Sequence, residues 1–589
     1  MTPPTDPAQS SGPPTDGAPS STNGVSARPM TVSLNPEGAV DPLQTPIEPF
    51  VVPPTIAAVP GGAAPNTPGL GRSAMRGFAL MLVNIGVGKL LQFGAVIVMG
   101  GMLTKEDLGL VSIALSIAMF IQTFRDGGVS DFLVANPRDF DRNAGPCFWL
   151  TFWINLVLAL LIGVTGEVAA RVLYTQGKIE HISDLTTLMW ILAVAVPLNS
   201  PSTTRMAKLK IDLRFHMLSL QSIMASVIRY GGQIGFALAG WGPVGYILPV
   251  ILLPIADNIF LFIVTTERSW KRPASRELWL KILHSSKWIV FASLAAGIAN
   301  HGFAVCASPF LTADRALEIT GSLFFAISIL LALEGVLAQS LVPVMLPILS
   351  RMRDEPERQA SAALRVLILN MLLAVPMTFA VALVFPAISR LVWGDKWDEV
   401  AIAIMILVPA FVLRNAVATV TIPLAQSRGW FASSFGIWAQ IALGAAGGAI
   451  IGAIIADSVI VIAASISVLV SLVTLHLMTQ TLKSAGMSRR RTLDAVLRPM
   501  LICAVAGAVV LLLDRLAYTP LSQRLITATV TIKDEPRMMF EALRAVLIGL
   551  TFGVLAATGL RLFAGGAVRD AVSALPGRLA GPARRLLWV

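Results

Sequence analysis

The sequence predicts an all-α polytopic membrane protein of about 14 transmembrane helices, grouped six, six and two. Three observations predict it. The 589 residues are 55% hydrophobic and only 13% charged, with a mean hydropathy of +0.73, against about 25% charged in an ordinary soluble domain. From Arg76 onward long apolar runs follow one another, most near the roughly 20 residues a helix needs to cross a bilayer core. The bases sit in short connectors between those runs, so the formal charge of +11 reads as membrane topology, not nucleic-acid affinity.

The first element, 1–72, is a different material: Pro, Ser, Thr, Gly and Ala dominate, as in Val52-Pro53-Pro54-Thr55. Such a composition cannot bury enough apolar surface to fold, so a disordered cytoplasmic tail is expected, without the features of a signal peptide. The apolar runs place spans at 77–102, 109–124, 147–164, 185–201, 217–240 and 243–264. After a basic connector they continue at 288–311, 319–346, 366–388, 400–424, 435–455 and 459–478, and two more at 500–513 and 540–560 close the series. The longest basic connector divides the first twelve spans. A first lobe is expected over 73–268, a linker over 269–287, and a second lobe over 288–482. The last helix pair falls within 496–565, and a basic tail carrying Arg584, Arg585 and Trp588 occupies 566–589.

Lys and Arg set the orientation. With the N-terminus inside, the inner connectors hold 23 of these residues and the outer ones 11, five of the latter between Asp514 and Arg544. Both termini are therefore expected in the cytoplasm. Arg489-Arg490-Arg491 then reads as an anchor on anionic headgroups. Cys147, Cys306 and Cys503 lie far apart in apolar runs, with neither disulfide nor metal-ligand spacing.

One stretch carries more than composition. Leu103-Thr104-Lys105-Glu106-Asp107-Leu108-Gly109-Leu110 is a charged turn running into an apolar span, which stops at Phe124-Arg125-Asp126-Gly127-Gly128. It resembles the start of bacterial polysaccharide exporters of the lipid-linked-oligosaccharide flippase type, the polysaccharide transport branch of the MOP flippase superfamily. Leu103, Thr104, Asp107, Gly109, Leu110, Phe124, Asp126 and Gly128 carry the likeness, with the closing glycine doubled. Leu391-Val392-Trp393-Gly394-Asp395-Lys396-Trp397 and Pro423-Leu424-Ala425-Gln426-Ser427-Arg428-Gly429 resemble a later region of the same exporters. The resemblance covers roughly 73–482, and the long proline-rich tail departs from it. It implies two six-helix lobes in a MATE-like V around a central cavity, in the inner membrane. It also implies an undecaprenyl-pyrophosphate-linked oligosaccharide as substrate, with membrane lipids and polysaccharide polymerase or export machinery as partners. Leu311-Thr312-Ala313-Asp314-Arg315 matches Leu103 to Asp107 faintly, as an internal repeat would.

Ionisable side chains at bilayer depth cost about 3 kcal/mol each on insertion scales, so they face a cavity or a partner. Lys89, Arg229 and Arg414 lie about 18–21 Å into the first, fifth and tenth spans. Glu334 and Asp257 are the acidic counterparts, and Asn84, Gln92, Asn300, His301 and Asn415 add neutral groups. Lys89, Arg229, Arg414, Asn84, Gln92 and Asn415 are the candidate substrate contacts: cations for phosphate oxygens, amides for hydroxyls. Glu334, Asp257 and His301 are candidate coupling or ion-pair groups. Arg229 with Asp257, and Arg414 with Glu334, either pair to hold their lobes together or serve the cavity. Asp107, Gly109, Asp126 and Gly128 belong to the motif, and Asp126-Gly127-Gly128 is expected to shape the inner end of the second span.

No Walker loop, no G-x-S-x-G, no His-Glu-x-x-His and no metal-ligand spacing occurs. The chain is therefore expected not to be an enzyme, with no catalytic residue, no metal and no cofactor; proton or Na+ coupling stays open. Flipping of lipid-linked repeat units is the reading. Another MOP-type transporter, a lipid II flippase or drug/cation antiporter, is the near alternative, and a glycan polymerase or ligase the distant one.

Overall fold

The computed structural model describes residues 70–573 apart from 126–128, 136–138, 213, 272–274, 519 and 521–534. Nearly all of the expected proline-rich tail and most of the basic C-terminal tail lie outside the described residues. Within them the regular structure is helical, with no strand. In lipid a helix satisfies its own backbone groups, which is why the apolar runs fold this way.

Among the described residues eight helices are long and apolar enough to cross a membrane, ten if each of two bent pairs counts as one span. Three of the fourteen expected runs fall outside that set and two others merge into one, each for a local reason. The first has its described apolar part only over Gly86–Met102, and the second, Lys105–Gln122, opens on three charged residues. The fifth is interrupted by a π-helical turn, Val227–Gly231, between Phe215–Ser226 and Gly232–Leu238. The ninth and tenth run together through the short turn Gly394–Trp397 as one apolar stretch, Pro356–Ser427. The basic stretch expected as a linker is helical from Arg276 onward, as the start of Arg276–His301.

The bends sit at informative places. Ile182–Leu198 and Ser200–Ile211 meet at 46°, next to Pro197. Val290–His301 and Phe303–Phe310 meet at 64° across Gly302, with no proline involved. A side chain at Gly302 would press on the Ile298 carbonyl oxygen at 2.7 Å, so glycine permits this bend. Pro254, Pro376 and Pro409 lie inside helices that continue through them.

Asp398–Ala416 is deeply packed, every residue from Val400 to Ala416 being buried or half-buried except Ile402. It contacts Ala313–Arg351, Pro356–Trp393 and Val459–Ser484, while Glu535–Ser573 and Arg489–Leu513 flank Pro356–Trp393. Among the earlier helices, Phe140–Thr175 pairs with Ile182–Leu198. Leu70–Met102 touches both Phe215–Ser226 and Ala313–Arg351, and Lys105–Gln122 packs along Ala313–Arg351. These two helices tie the earlier set to the later one.

Candidate functional site

Three helices meet at Arg414. Its Nε donates to Glu334 Oε2 at 3.1 Å, Nη2 donates to the same oxygen, and Nη1 donates to Asn300 Oδ1 at 2.8 Å. The guanidinium lies over the Phe411 ring, 4.3 Å from its centre, a favourable place for a cation. Its side chain is 4% exposed and that of Glu334 11%. A buried charge needs such a partner, because removing it from water costs several kcal/mol. Arg276–His301, Ala313–Arg351 and Asp398–Ala416 are thereby pinned together just before the Gly302 bend. A small, mostly apolar cavity lined by Phe303, Phe411, Ile441 and Ile466 adjoins the guanidinium.

Lys89 approaches the same region from Leu70–Met102. Its Nζ donates to Gln92 Oε1 at 3.0 Å and to the Ala332 carbonyl at 3.2 Å, two residues from Glu334. Arg229, in the π-helical turn, is exposed and sits 5.8 Å from the centre of the Tyr230 ring. Its charge is felt at Lys89, Tyr246 and His301. Among the described residues neither Lys89 nor Arg229 forms an ion pair. Gly88 lets the Lys89 turn sit close to Ser226, three residues before Arg229: a methyl there would stand 3.1 Å from Ser226 Oγ. Lys89, Arg229 and Arg414 thus share one neighbourhood, with Glu334 as its carboxylate and a surplus of positive charge.

Other expected residues fall elsewhere. Arg229 does not pair with Asp257; Asp257 Oδ1 accepts from Gln221 Nε2 at 2.8 Å and feels the charge of Arg125. Consecutive helices did not bring the two charges face to face. Arg414 and Asn415, neighbours in sequence, also part. Asn415 is 3% exposed and its Oδ1 accepts from Asn370 Nδ2 at 3.3 Å, which also donates to Thr419 at 2.8 Å. The carbonyl of His301 accepts from the Ser116 hydroxyl, and its ring lies within reach of the Arg414 and Arg229 charges. The Asn84 side chain, Asp126 and Gly128 lie outside the described residues.

The rest of the motif has a structural meaning. Thr104 Oγ1 accepts from the Asp107 amide and Asp107 Oδ2 accepts from the Thr104 amide, both at 3.0 Å. This capping box satisfies two amides at the start of Lys105–Gln122. At the corresponding start of Ala313–Arg351, Asp457 supplies the carboxylate instead, its Oδ1 accepting from the Thr312 amide at 3.1 Å. Gly109 permits a helix crossing, since a methyl there would overlap the Leu317 carbonyl.

Sequence reasoning read Asn300 only as a neutral mid-span group and missed Tyr246 and Lys178 altogether. Lys178 follows Phe140–Thr175 and is 7% exposed, its Nζ donating to the Ser308 carbonyl at 2.5 Å. Burial pushes its ammonium pKa below the usual lysine range, and Asp457 opposes that shift.

A bundle of apolar helices with charged groups at mid-span depth has the architecture of a membrane transporter. The backbone is similar to a lipid II flippase, MurJ in its inward closed conformation. The TM-score is 0.57 over 82% of this chain and 99% of that one, at 13% identity. It is also similar to an inward-facing multidrug resistance MATE family transporter of the MOP superfamily, with a TM-score of 0.53 over 69% of this chain and 100% of that one, at 14% identity. At such identities the likeness is one of fold. The chain belongs to the polysaccharide biosynthesis protein family, whose model matches residues 98–402. A curated relative, the succinoglycan biosynthesis transport protein ExoT of Rhizobium meliloti (strain 1021), is 23% identical over 312 residues. That match takes in 52% of this chain, and the chain spans 60% of the relative's length.

Proposed function

We propose that this protein flips undecaprenyl-pyrophosphate-linked oligosaccharide repeat units across the inner membrane for exopolysaccharide or lipopolysaccharide synthesis. The observation that carries the reading is the Lys89–Arg229 neighbourhood: two mid-span cations that no carboxylate among the described residues neutralises. A pyrophosphate would supply the missing negative charge through charge-assisted hydrogen bonds. Gln92 beside Lys89 offers an amide to the first sugar. Arg414 acts in this scheme as a brace, because its donors are spent on Glu334 and Asn300. Two six-helix lobes would alternate access about this site, with the lipid tail left in the bilayer. A drug/cation antiporter would call for carboxylates facing the cavity, and here Glu334 is already engaged.

The test is the state of the lipid-linked repeat unit in a deletion strain complemented with wild type or Lys89→Ala. Repeat unit should accumulate on the cytoplasmic face without the protein. Lys89→Ala should reach the membrane and still fail to clear it. Single repeat units building up on the periplasmic face would make the protein a polymerase and end this reading. Normal clearance by Lys89→Ala alone would keep the flippase and move the phosphate site elsewhere.

A further inference from the structure

Asp257 is a carboxylate in mid-helix, within Pro249–Val264, that the phosphate scheme does not use. Its Oδ1 accepts from Gln221 Nε2 at 2.8 Å, and among the described residues its Oδ2 and Gln221 Oε1 have no partner. A carboxylate at bilayer depth whose only partner is a neutral amide must face an aqueous cavity, because lipid would not tolerate it. Both residues are half-buried, and no residue from His216 to Gly232 is fully buried, so the helix that carries Gln221 is open along this length.

The pair lies on the way to the cations. Gln221 precedes Arg229 on one nearly continuous helical run, from Phe215–Ser226 into Val227–Gly231, by about 12 Å. Arg214 Nη1 donates to the Val264 carbonyl at 3.4 Å, so the start of that run and the end of Pro249–Val264 share one end of the bundle. The Lys and Arg distribution predicts this end to be cytoplasmic. Gln221 and Asp257 therefore stand between the predicted inner mouth and the Lys89–Arg229 neighbourhood.

Their open valences define what they would hold. Oδ2 and Oε1 are acceptors, and the second Nε2 hydrogen is a donor. Vicinal sugar hydroxyls, each both donor and acceptor, match that set, and a hydroxyl on a carboxylate makes a charge-assisted bond. A second phosphate would be repelled. A cation is disfavoured too: the charge of Arg125 is felt at Asp257, and Pro249–Val264 packs against the turn that holds Arg229. With the first sugar at Gln92, a site about 12 Å along the helix belongs to a later sugar of the same chain.

We propose that Gln221 and Asp257 form a saccharide subsite, which holds the hydroxyls of a neutral sugar beyond the first and rejects an acidic sugar there. This rests on the flippase reading of Lys89 and Arg229 as the pyrophosphate site. Asp257 then selects cargo and is not one half of an ion pair.

Binding of synthetic short-chain polyprenyl pyrophosphates to the purified full chain in nanodiscs tests this. The probes carry no sugar, one neutral hexose, a neutral trisaccharide, or the same trisaccharide with uronic acids beyond the first sugar. Wild type should bind the neutral trisaccharide probe about tenfold more tightly than the single-hexose probe, as hydrogen bonds to a carboxylate and an amide allow. Gln221→Ala should lose most of that gain yet bind the sugar-free probe as wild type does, which also shows that it is folded. Wild type should reject the uronate probe, and Asp257→Asn should bind neutral and uronate trisaccharides nearly alike. Equal binding of those two probes by wild type would overturn the subsite, with no variant needed. So would a gain from sugar length that survives in Gln221→Ala. Binding of tetraphenylphosphonium that Asp257→Asn abolishes would make the carboxylate a cation site and overturn it as well. If the sugar-free probe fails to bind, or binds Lys89→Ala as tightly as wild type, the phosphate site falls and the subsite with it. If the sugar arms alone fail, the flippase reading stands.

Discussion

Arg414 has nowhere to put its charge if Glu334 is removed. Both groups are buried, and Asn300 takes only one of the guanidinium donors. Glu334→Ala should therefore lower stability by about 3–5 kcal/mol, the usual cost of orphaning a buried charge. Glu334→Gln, which keeps an acceptor oxygen in place, should cost less. Thermal unfolding of the purified protein in detergent checks this; a wild-type Tm for Glu334→Ala would show that Arg414 is neutralised by something else. The pairing was one of two readings available from the sequence, because Glu334 and Arg414 lie at similar depth in their spans. Asn300 as the third partner was not legible. Its amide is one of several in the spans, and only the turn of the helix just before Gly302 aims it at Arg414. Asp257 shows the reverse case: depth and chain proximity suggested Arg229, but Gln221, two turns earlier on the same helix, takes the carboxylate and Arg229 lies in the π-helical turn Val227–Gly231.

Among the elements, the Gly394–Trp397 turn shows how much a short segment can hold. Gly394 takes φ 67°, a left-handed conformation that lets Pro356–Trp393 end and Asp398–Ala416 begin within four residues. Trp397 is fully buried, its ring 4.5 Å from that of Phe325. Trp397→Ala should destabilise the protein by about 3–5 kcal/mol through the cavity it leaves. Trp397→Phe keeps most of the packing and loses one hydrogen bond to the Gly100 carbonyl, which Lys396 still satisfies, so its cost should stay near 1 kcal/mol. Chemical denaturation of the two variants separates packing from hydrogen bonding; equal losses would contradict this division. The sequence marked this turn through its resemblance to the exporters, without its role. Trp393, Lys396 and Trp397 donate to backbone carbonyls of a helix almost 300 residues away, and carbonyls carry no side-chain signature. Helix existence, by contrast, was written in the apolar runs. Helix interruptions were not, because a π-helical turn such as Val417–Thr421 differs from its flanks by one hydrogen-bond step, not by composition.

At the scale of the molecule, the direction of every functional statement depends on which face carries Thr104. The uneven distribution of Lys and Arg, 23 against 11 across alternate connectors, predicts that the N-terminus lies inside. The Thr104 turn, the Gly394–Trp397 turn and Asp457 would then all face the periplasm. The contacts join these three independently: Lys396 reaches the Leu103 carbonyl, Lys105 pairs with Glu318, and Asp457 receives the Thr312 amide at the start of the helix that carries Glu318. They must share one face, so one assignment fixes all of them. A topology reporter fused after Asp457 should be active as a periplasmic alkaline phosphatase, and one fused after Gly429 should be inactive. A fluorescent protein that matures only in the cytoplasm should give the opposite pattern. If both patterns came out reversed, the packed Thr104 end would lie on the cytoplasmic side, and Lys89 and Arg229 would stand open to the outer leaflet. The same cluster of cations would then be poised to receive a phosphate from outside, and the proposed export would have to run as import.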